Sequence, residues 1–204
     1  MERIYIFTRF ERFWHWTQFL LIFVMLLTGF EIHGSYKMLG YEQAGQLHVA
    51  AAWALITLWL FAIFWHFTTG EWRQYIPSFK NIDLVIRHYV WGIFQGEPHP
   101  FKTTRARKHN PMQALAYLGV KVLINPLIWI SGLAYLYYNE LRTAGMTLDL
   151  ETIATLHTIG AFMMLIFLIV HVYLITTGHT VTAHLKAMIT GWDESGEVQE
   201  SKAR

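Results

Sequence analysis

The chain has 204 residues, 54% of them hydrophobic, 16% aromatic and only 15% charged, with a net charge of +2. A soluble domain carries about a quarter charged residues, and so small and scattered a net charge gives no basis for binding nucleic acid. Cysteine is absent, which excludes iron–sulfur clusters, covalently attached c-type haem and thiolate zinc sites.

The charges fall in blocks separated by long uncharged stretches, the pattern of a chain that crosses a membrane several times. The chain begins Met1-Glu2-Arg3-Ile4-Tyr5 and shows no small-residue cleavage site after its first apolar run. The expectation is no signal peptide and a first helix that stays as an anchor. Roughly 30 Å of hydrocarbon takes about 20 helical residues to cross. The first such segment is predicted from about Phe13 to Phe30, and the second from about Gln46 to Phe67. The long loop that follows contains an apolar stretch, Ile82 to Phe94, with Asp83 and Arg87 one helical turn apart. It reads either as a helix lying along the membrane surface or as an amphipathic loop. The third segment runs from about Met112 to Tyr138, with Lys121 near its start and Asn125-Pro126 inside, where Pro126 should kink it. The fourth runs from about Ile153 to Thr177, and the polar stretch after Trp192 is expected to be loosely ordered. The fold class is all-α: an integral membrane four-helix bundle over residues 1–178, then a C-terminal tail over 179–204.

Lysine and arginine set the orientation. Arg3, Arg9 and Arg12 precede the first helix. Arg73, Lys80, Arg87, Lys102, Arg105, Arg107 and Lys108 lie in the middle loop, and Lys186, Lys202 and Arg204 in the tail. The other two loops hold only Lys37 and Arg142. Both termini and the middle loop are therefore expected on the cytoplasmic side.

Histidine is unusually frequent, at eleven. Five lie in or at the edges of the spans: His15, His48, His66, His157 and His171. An ionisable side chain within a membrane is costly and faces the protein interior with a partner. One alone would read as a packing residue bonded to a carbonyl; several at matched depths read as ligands. His157 and His171 return to nearly the same helical face about 21 Å apart. His48 opens the second helix as His157 opens the fourth, and His15 enters the first helix at the depth of His171. His66 falls about 27 Å from His48 along the same face, and is expected at the headgroup level as an interfacial residue. Paired imidazoles from facing helices suit the flat macrocycle of a haem, whereas zinc would want three or four ligands at one depth. Gly29, Gly132 and Gly160 read either as room for a porphyrin or as close helix packing.

These residues resemble the bacterial di-haem cytochrome b subunits of membrane-bound formate dehydrogenases, nickel–iron hydrogenases and thiosulfate reductases. The resemblance rests on Arg12-Phe13-Trp14-His15-Trp16, Thr28-Gly29-Phe30, His48, His109 to Leu115, Ser131-Gly132-Leu133 and the His157/His171 pair. It implies two b haems, one held by His15 and His171 on the cytoplasmic side and one by His48 and His157 on the outer side. It further implies quinone chemistry beside the cytoplasmic-side haem, with Asn110, Gln113 and His171 as quinone-binding residues. Asn110-Pro111 also reads as a plain helix cap with proline in the first turn. Lys108 and His109 lie where protons could be relayed. The implied setting is a multi-pass protein of the bacterial cytoplasmic membrane, with lipid, quinone and an extracytoplasmic redox subunit as partners and room for oligomers. Two other readings stay open: a stand-alone cytochrome b oxidising a small reductant and reducing quinone, and a haem-free, histidine-lined metal or proton transporter. The middle loop is longer than the resemblance explains.

Overall fold

A computed structural model describes residues 3–76, 82–97, 104, 107–178 and 180–194. Lys80, Lys102, Arg105, Lys202 and Arg204, which entered the orientation argument, lie outside the described residues, as does the polar tail beyond Glu194. The described chain is helical apart from one two-residue strand pair. It divides into two units, and each holds two of the four helices long and apolar enough to cross a membrane.

In the first unit, α1 spans Arg9–Ile32 and α2 spans Tyr41–Thr69. A reciprocal cap starts α1. The Thr8 hydroxyl accepts the Glu11 N–H at 3.3 Å, and the Glu11 carboxylate accepts the Thr8 N–H at 2.8 Å. At the far end Glu31 turns back on the connecting loop. One carboxylate oxygen accepts the N–H groups of Met38, Leu39 and Gly40 at 2.7, 2.6 and 2.7 Å. That single contact sets where α2 begins. Helix α2 stops at Gly70, whose φ of +78 only glycine adopts without strain. The two helices pack antiparallel, with the Trp59 indole donating to Gln18 at 3.3 Å midway along.

The ends of the described chain meet in this unit. Strand β1, Ile4–Tyr5, pairs antiparallel with β2, Trp192–Asp193. Between the second unit and β2 lies a short helix, α8, spanning Ala183–Thr190, in a region read from sequence only as tail. Arg12 and Trp16 of α1 donate to its last carbonyls, at Ile189 and Met188. The two ends thus lie on the same side of α1 and α2, as the charge pattern expects.

The second unit carries α3, Ile82–Val90, so the apolar stretch in the middle loop is helical. Its Val85, His88 and Tyr89 are buried while Leu84, Ile86 and Val90 are exposed. The third span, Pro111–Leu136, is built of α4 (Pro111–Gly119), a π turn (Val120–Ile124) and α5 (Asn125–Leu136). The expected distortion at Pro126 takes this form. Proline has no N–H for the carbonyl four residues back, and its ring crowds that carbonyl. The helix widens in the turn before it, and the Asn125 N–H reaches the Val120 carbonyl. A short helix, α6 (Tyr138–Thr143), leads to α7, Leu150–Ile175, the fourth span. All four spans agree with the sequence within a few residues.

The outer surface of these spans is apolar: Phe64 is 68% exposed and Ile130 70%. In water such a surface would aggregate; in lipid it is the required one.

Candidate functional site

The second-span histidine sits in a recess built by α1. His48 is half-buried, and its Nδ1 lies 3.0 Å from the Thr28 hydroxyl. Thr28 is 1% exposed and its hydroxyl also meets the Val24 carbonyl at 2.8 Å. A carbonyl only accepts, so the single hydroxyl proton is given to Val24, and toward His48 the oxygen accepts. In that arrangement His48 carries its proton on Nδ1 and its lone pair on Nε2. Gly29, the next residue, gives the ring its room: a Cβ there would stand 3.3 Å from His48 Cε1.

The second unit repeats this device with different residues. His157 of α7 places Nδ1 3.1 Å from the Ser131 hydroxyl of α5 and 3.1 Å from the Ile128 carbonyl. Ser131 is buried and bonds back to the Leu127 carbonyl, so again the hydroxyl accepts from the imidazole. A Cβ at Gly132 would stand 2.9 Å from His157 Cε1. His157, like His48, presents Nε2 as its basic nitrogen. That is the tautomer an axial haem ligand needs, with its other N–H hydrogen-bonded. The residues fit a haem iron on this observation. Gly29 and Gly132 also have a role not read from sequence, which is to leave room for the imidazole itself. Gly160 serves close packing, with a Cβ there falling 2.6 Å from Ile128 Cγ1.

Toward the opposite end of the first unit, His15 is half-buried beside Trp16, ring centroids 5.3 Å apart. His66 is buried, with Nδ1 2.6 Å from the Ala62 carbonyl of its own helix. Its ring meets Trp14 edge-on at 5.0 Å. Trp14 immediately precedes His15, so His66 lies at nearly the level of His15. Depth alone does not separate the two; the sequence estimate treated the helices as straight parallel rods, and large tryptophan side chains bridge the offset.

In the second unit, His171 of α7 stacks on Phe167 at 5.7 Å and meets Tyr117 of α4 at 6.2 Å. Tyr117 in turn meets His109 at 4.9 Å. Burial, with the charges of Lys108 and Lys121, lowers the His109 imidazole to about 3, so the resting ring is neutral, with one N–H donor and one free acceptor nitrogen. The Lys121 ammonium lies over the Tyr75 ring. Asn110 and Gln113 form a reciprocal cap at the start of α4. The Asn110 side-chain oxygen accepts the Gln113 N–H at 2.8 Å, and the Gln113 side-chain oxygen accepts the Asn110 N–H at 3.1 Å. The Asn110 amide also donates to the Tyr89 hydroxyl at 3.0 Å. Burial raises the Tyr89 phenol above its ordinary range and keeps it protonated. The cap reading of Asn110 is thus realised.

Thr28 and Ser131 are the functional residues the sequence reading quoted without a role. Their signal is a hydroxyl–glycine pair ahead of a histidine, but the spacings differ, 29 to 48 against 132 to 157, so no fixed repeat reveals it.

The model of the prokaryotic cytochrome b561 family matches residues 6–191. Cytochrome YdhU of Escherichia coli strain K12 is 31% identical over 198 residues, covering 94% of this chain and 75% of its own length. The Ni/Fe-hydrogenase B-type cytochrome subunit of Rhodobacter capsulatus is 24% identical over 196 residues, covering 83% of this chain and 72% of its own length. No solved structure matches.

Proposed function

The chain belongs to the prokaryotic cytochrome b561 family of membrane b-haem proteins, and on that basis we propose that it moves electrons between an extracytoplasmic redox partner and the quinone pool across a bacterial cytoplasmic membrane. The observation that carries this is the pair of similar recesses, one in each unit, in which His48 and His157 each meet a buried hydroxyl on a neighbouring helix at Nδ1. The hydrogenase cytochrome subunit among its relatives supports a redox partner. One-electron chemistry is what haem supplies when bound; the protein sets depth, ligation and surroundings.

Two haems are proposed, ligated by His48 with His157 and by His15 with His171. Depth along the helices supports His48 with His157, and the family resemblance supports both pairs and chooses His15 over His66. Quinone is assigned to the region of Asn110, Gln113 and His171, which the Tyr117 and His109 rings connect within one unit. Asn110 and Gln113 would hydrogen-bond a quinone oxygen from the mouth of α4, while Tyr89 holds the Asn110 amide in place.

The test is haem stoichiometry by pyridine haemochrome on purified protein. Two haems per chain are expected. His48→Ala and His157→Ala should each remove one, His15→Ala and His171→Ala the other, and His66→Ala should keep both. If His66→Ala loses a haem while His15→Ala keeps both, the cytoplasmic-side assignment is wrong. For quinone, Asn110→Ser keeps a capping side chain but removes the amide. Slower quinone turnover with unchanged haem spectra is expected. Unchanged turnover in both Asn110→Ser and Gln113→Leu would place quinone elsewhere.

A further inference from the structure

His48 and His157 come from different helices and different units, yet three features recur at each, while His157 Nδ1 also meets the Ile128 carbonyl at 3.1 Å. A hydroxyl contacts Nδ1, at 3.0 Å from Thr28 and 3.1 Å from Ser131. That hydroxyl is itself tied to a carbonyl one turn back, at Val24 or Leu127. A glycine follows it, at Gly29 or Gly132, against the same edge of the ring. Both hydroxyl residues are buried, at 1% and 5% exposure, so water does not compete for the contact. A buried threonine or serine on a membrane helix can be satisfied by its own backbone alone; here each oxygen is also aimed at an imidazole.

We propose that Thr28 and Ser131 are positioning residues: each hydroxyl accepts the Nδ1–H of an imidazole that would hold the haem assigned above to His48 and His157, and would hold that haem's reduction potential down. This rests on the ligand reading above and adds to it the pairing of the two hydroxyls. Each hydroxyl gives its proton to a carbonyl, which makes its oxygen a better acceptor for the imidazole N–H. Accepting that N–H leaves Nε2 more electron-rich, and a more basic ligand favours the more highly charged, oxidised iron. Removing the hydroxyl removes that preference and raises the potential. If both histidines serve one haem, the two hydroxyls act on the same potential and their effects add, the Ser131 share being the smaller because the Ile128 carbonyl still accepts the His157 N–H.

The experiment is a redox titration of the visible haem bands in the purified full-length protein. The variants are Thr28→Val, Thr28→Ser, Ser131→Ala and the Thr28→Val/Ser131→Ala double. Thr28→Val and Ser131→Ala should each raise the potential of the same haem and leave the other in place. Loss of roughly a tenfold preference for the oxidised form corresponds to about 59 mV for one electron. The double variant should show the sum, and Thr28→Ser should keep the original potential. Unmoved potentials in both single variants overturn the proposal. So do shifts in two different haems, which would break the pairing. A Thr28→Ser variant that behaves like Thr28→Val would mean that shape, not the hydroxyl, is what matters, and also overturns it. Haem content separates this failure from failure of the ligand reading. If His48→Ala and His157→Ala keep the full haem complement, the ligand reading falls and the proposal with it. If they lose one haem while Thr28→Val and Ser131→Ala move nothing, the proposal alone falls.

Discussion

Gly29 and Gly132 face equivalent imidazoles with unequal clearance. An added Cβ would lie 3.3 Å from His48 Cε1 at position 29 but 2.9 Å from His157 Cε1 at position 132. The first is a tight contact that a small ring movement relieves. The second cannot be accommodated without shifting His157 or separating α5 from α7. Overpacking of this kind costs about 1–3 kcal/mol. Gly132→Ala is therefore expected to lower both thermal stability and haem content more than Gly29→Ala, measured side by side in detergent. Equal losses would show that the Cβ contact does not set the recess. At this scale the histidines were legible in the sequence, because an ionisable group in an apolar helix stands out. Their hydroxyl partners were not, because threonine and serine are ordinary residues in membrane helices and only the packing of one helix on another aims them.

The third span shows how far an element can be read from its own residues. Asn110-Pro111 is a helix start by local chemistry alone: a capping side chain, then a proline where no N–H is needed. The structure bears this out, with Gln113 completing the reciprocal cap. The contact of the Asn110 amide with Tyr89 of α3 was not readable, since it joins residues far apart in sequence. The two contributions separate by substitution. Asn110→Ala loses cap and cross-helix bond together, about 0.5–2 kcal/mol for the cap and about 0.5–1.5 kcal/mol for the bond to Tyr89. Asn110→Ser returns the cap only, so its thermal midpoint should fall between wild type and Asn110→Ala. If the two variants melt together, the cap contributes nothing and the Tyr89 bond accounts for the whole loss. Pro126 teaches a similar lesson. Its incompatibility with a regular helix was plain, but that the chain would answer with a π turn over Val120–Ile124 was settled by packing.

At the scale of the whole molecule, the first unit closes on itself where its two chain ends meet. Gly191 is the hinge of that closure. Its φ is +89, its carbonyl accepts the Ile6 and Phe7 N–H groups, and a Cβ would stand 2.7 Å from the Phe7 carbonyl oxygen. Arg3 and Lys186 both reach Glu194 at 3.1 Å on the same seam, but they are exposed pairs and contribute little. Gly191→Ala is expected to open the β1–β2 pairing. Amide exchange at Ile4 to Phe7 should accelerate while the amides in the middle of α1 and α2 stay protected. Unchanged exchange at Ile6 and Phe7 would show that the seam tolerates the added methyl group.

The sequence by itself determined the four spans, the shared side of both ends and the histidines worth testing. Each of these depends on one residue's chemistry or on the apolarity of one segment, and the cost of burying polar groups in lipid makes such signals strong. Only the tertiary structure decided that His66 lies level with His15, that α8 packs on the start of α1, and that Gly29 and Gly132 make room for imidazole rings. It also decided which hydroxyls meet His48 and His157. Those depend on how helices distant in sequence approach one another, and that approach is fixed by many small packing contacts, none of which leaves a mark of its own in the order of residues.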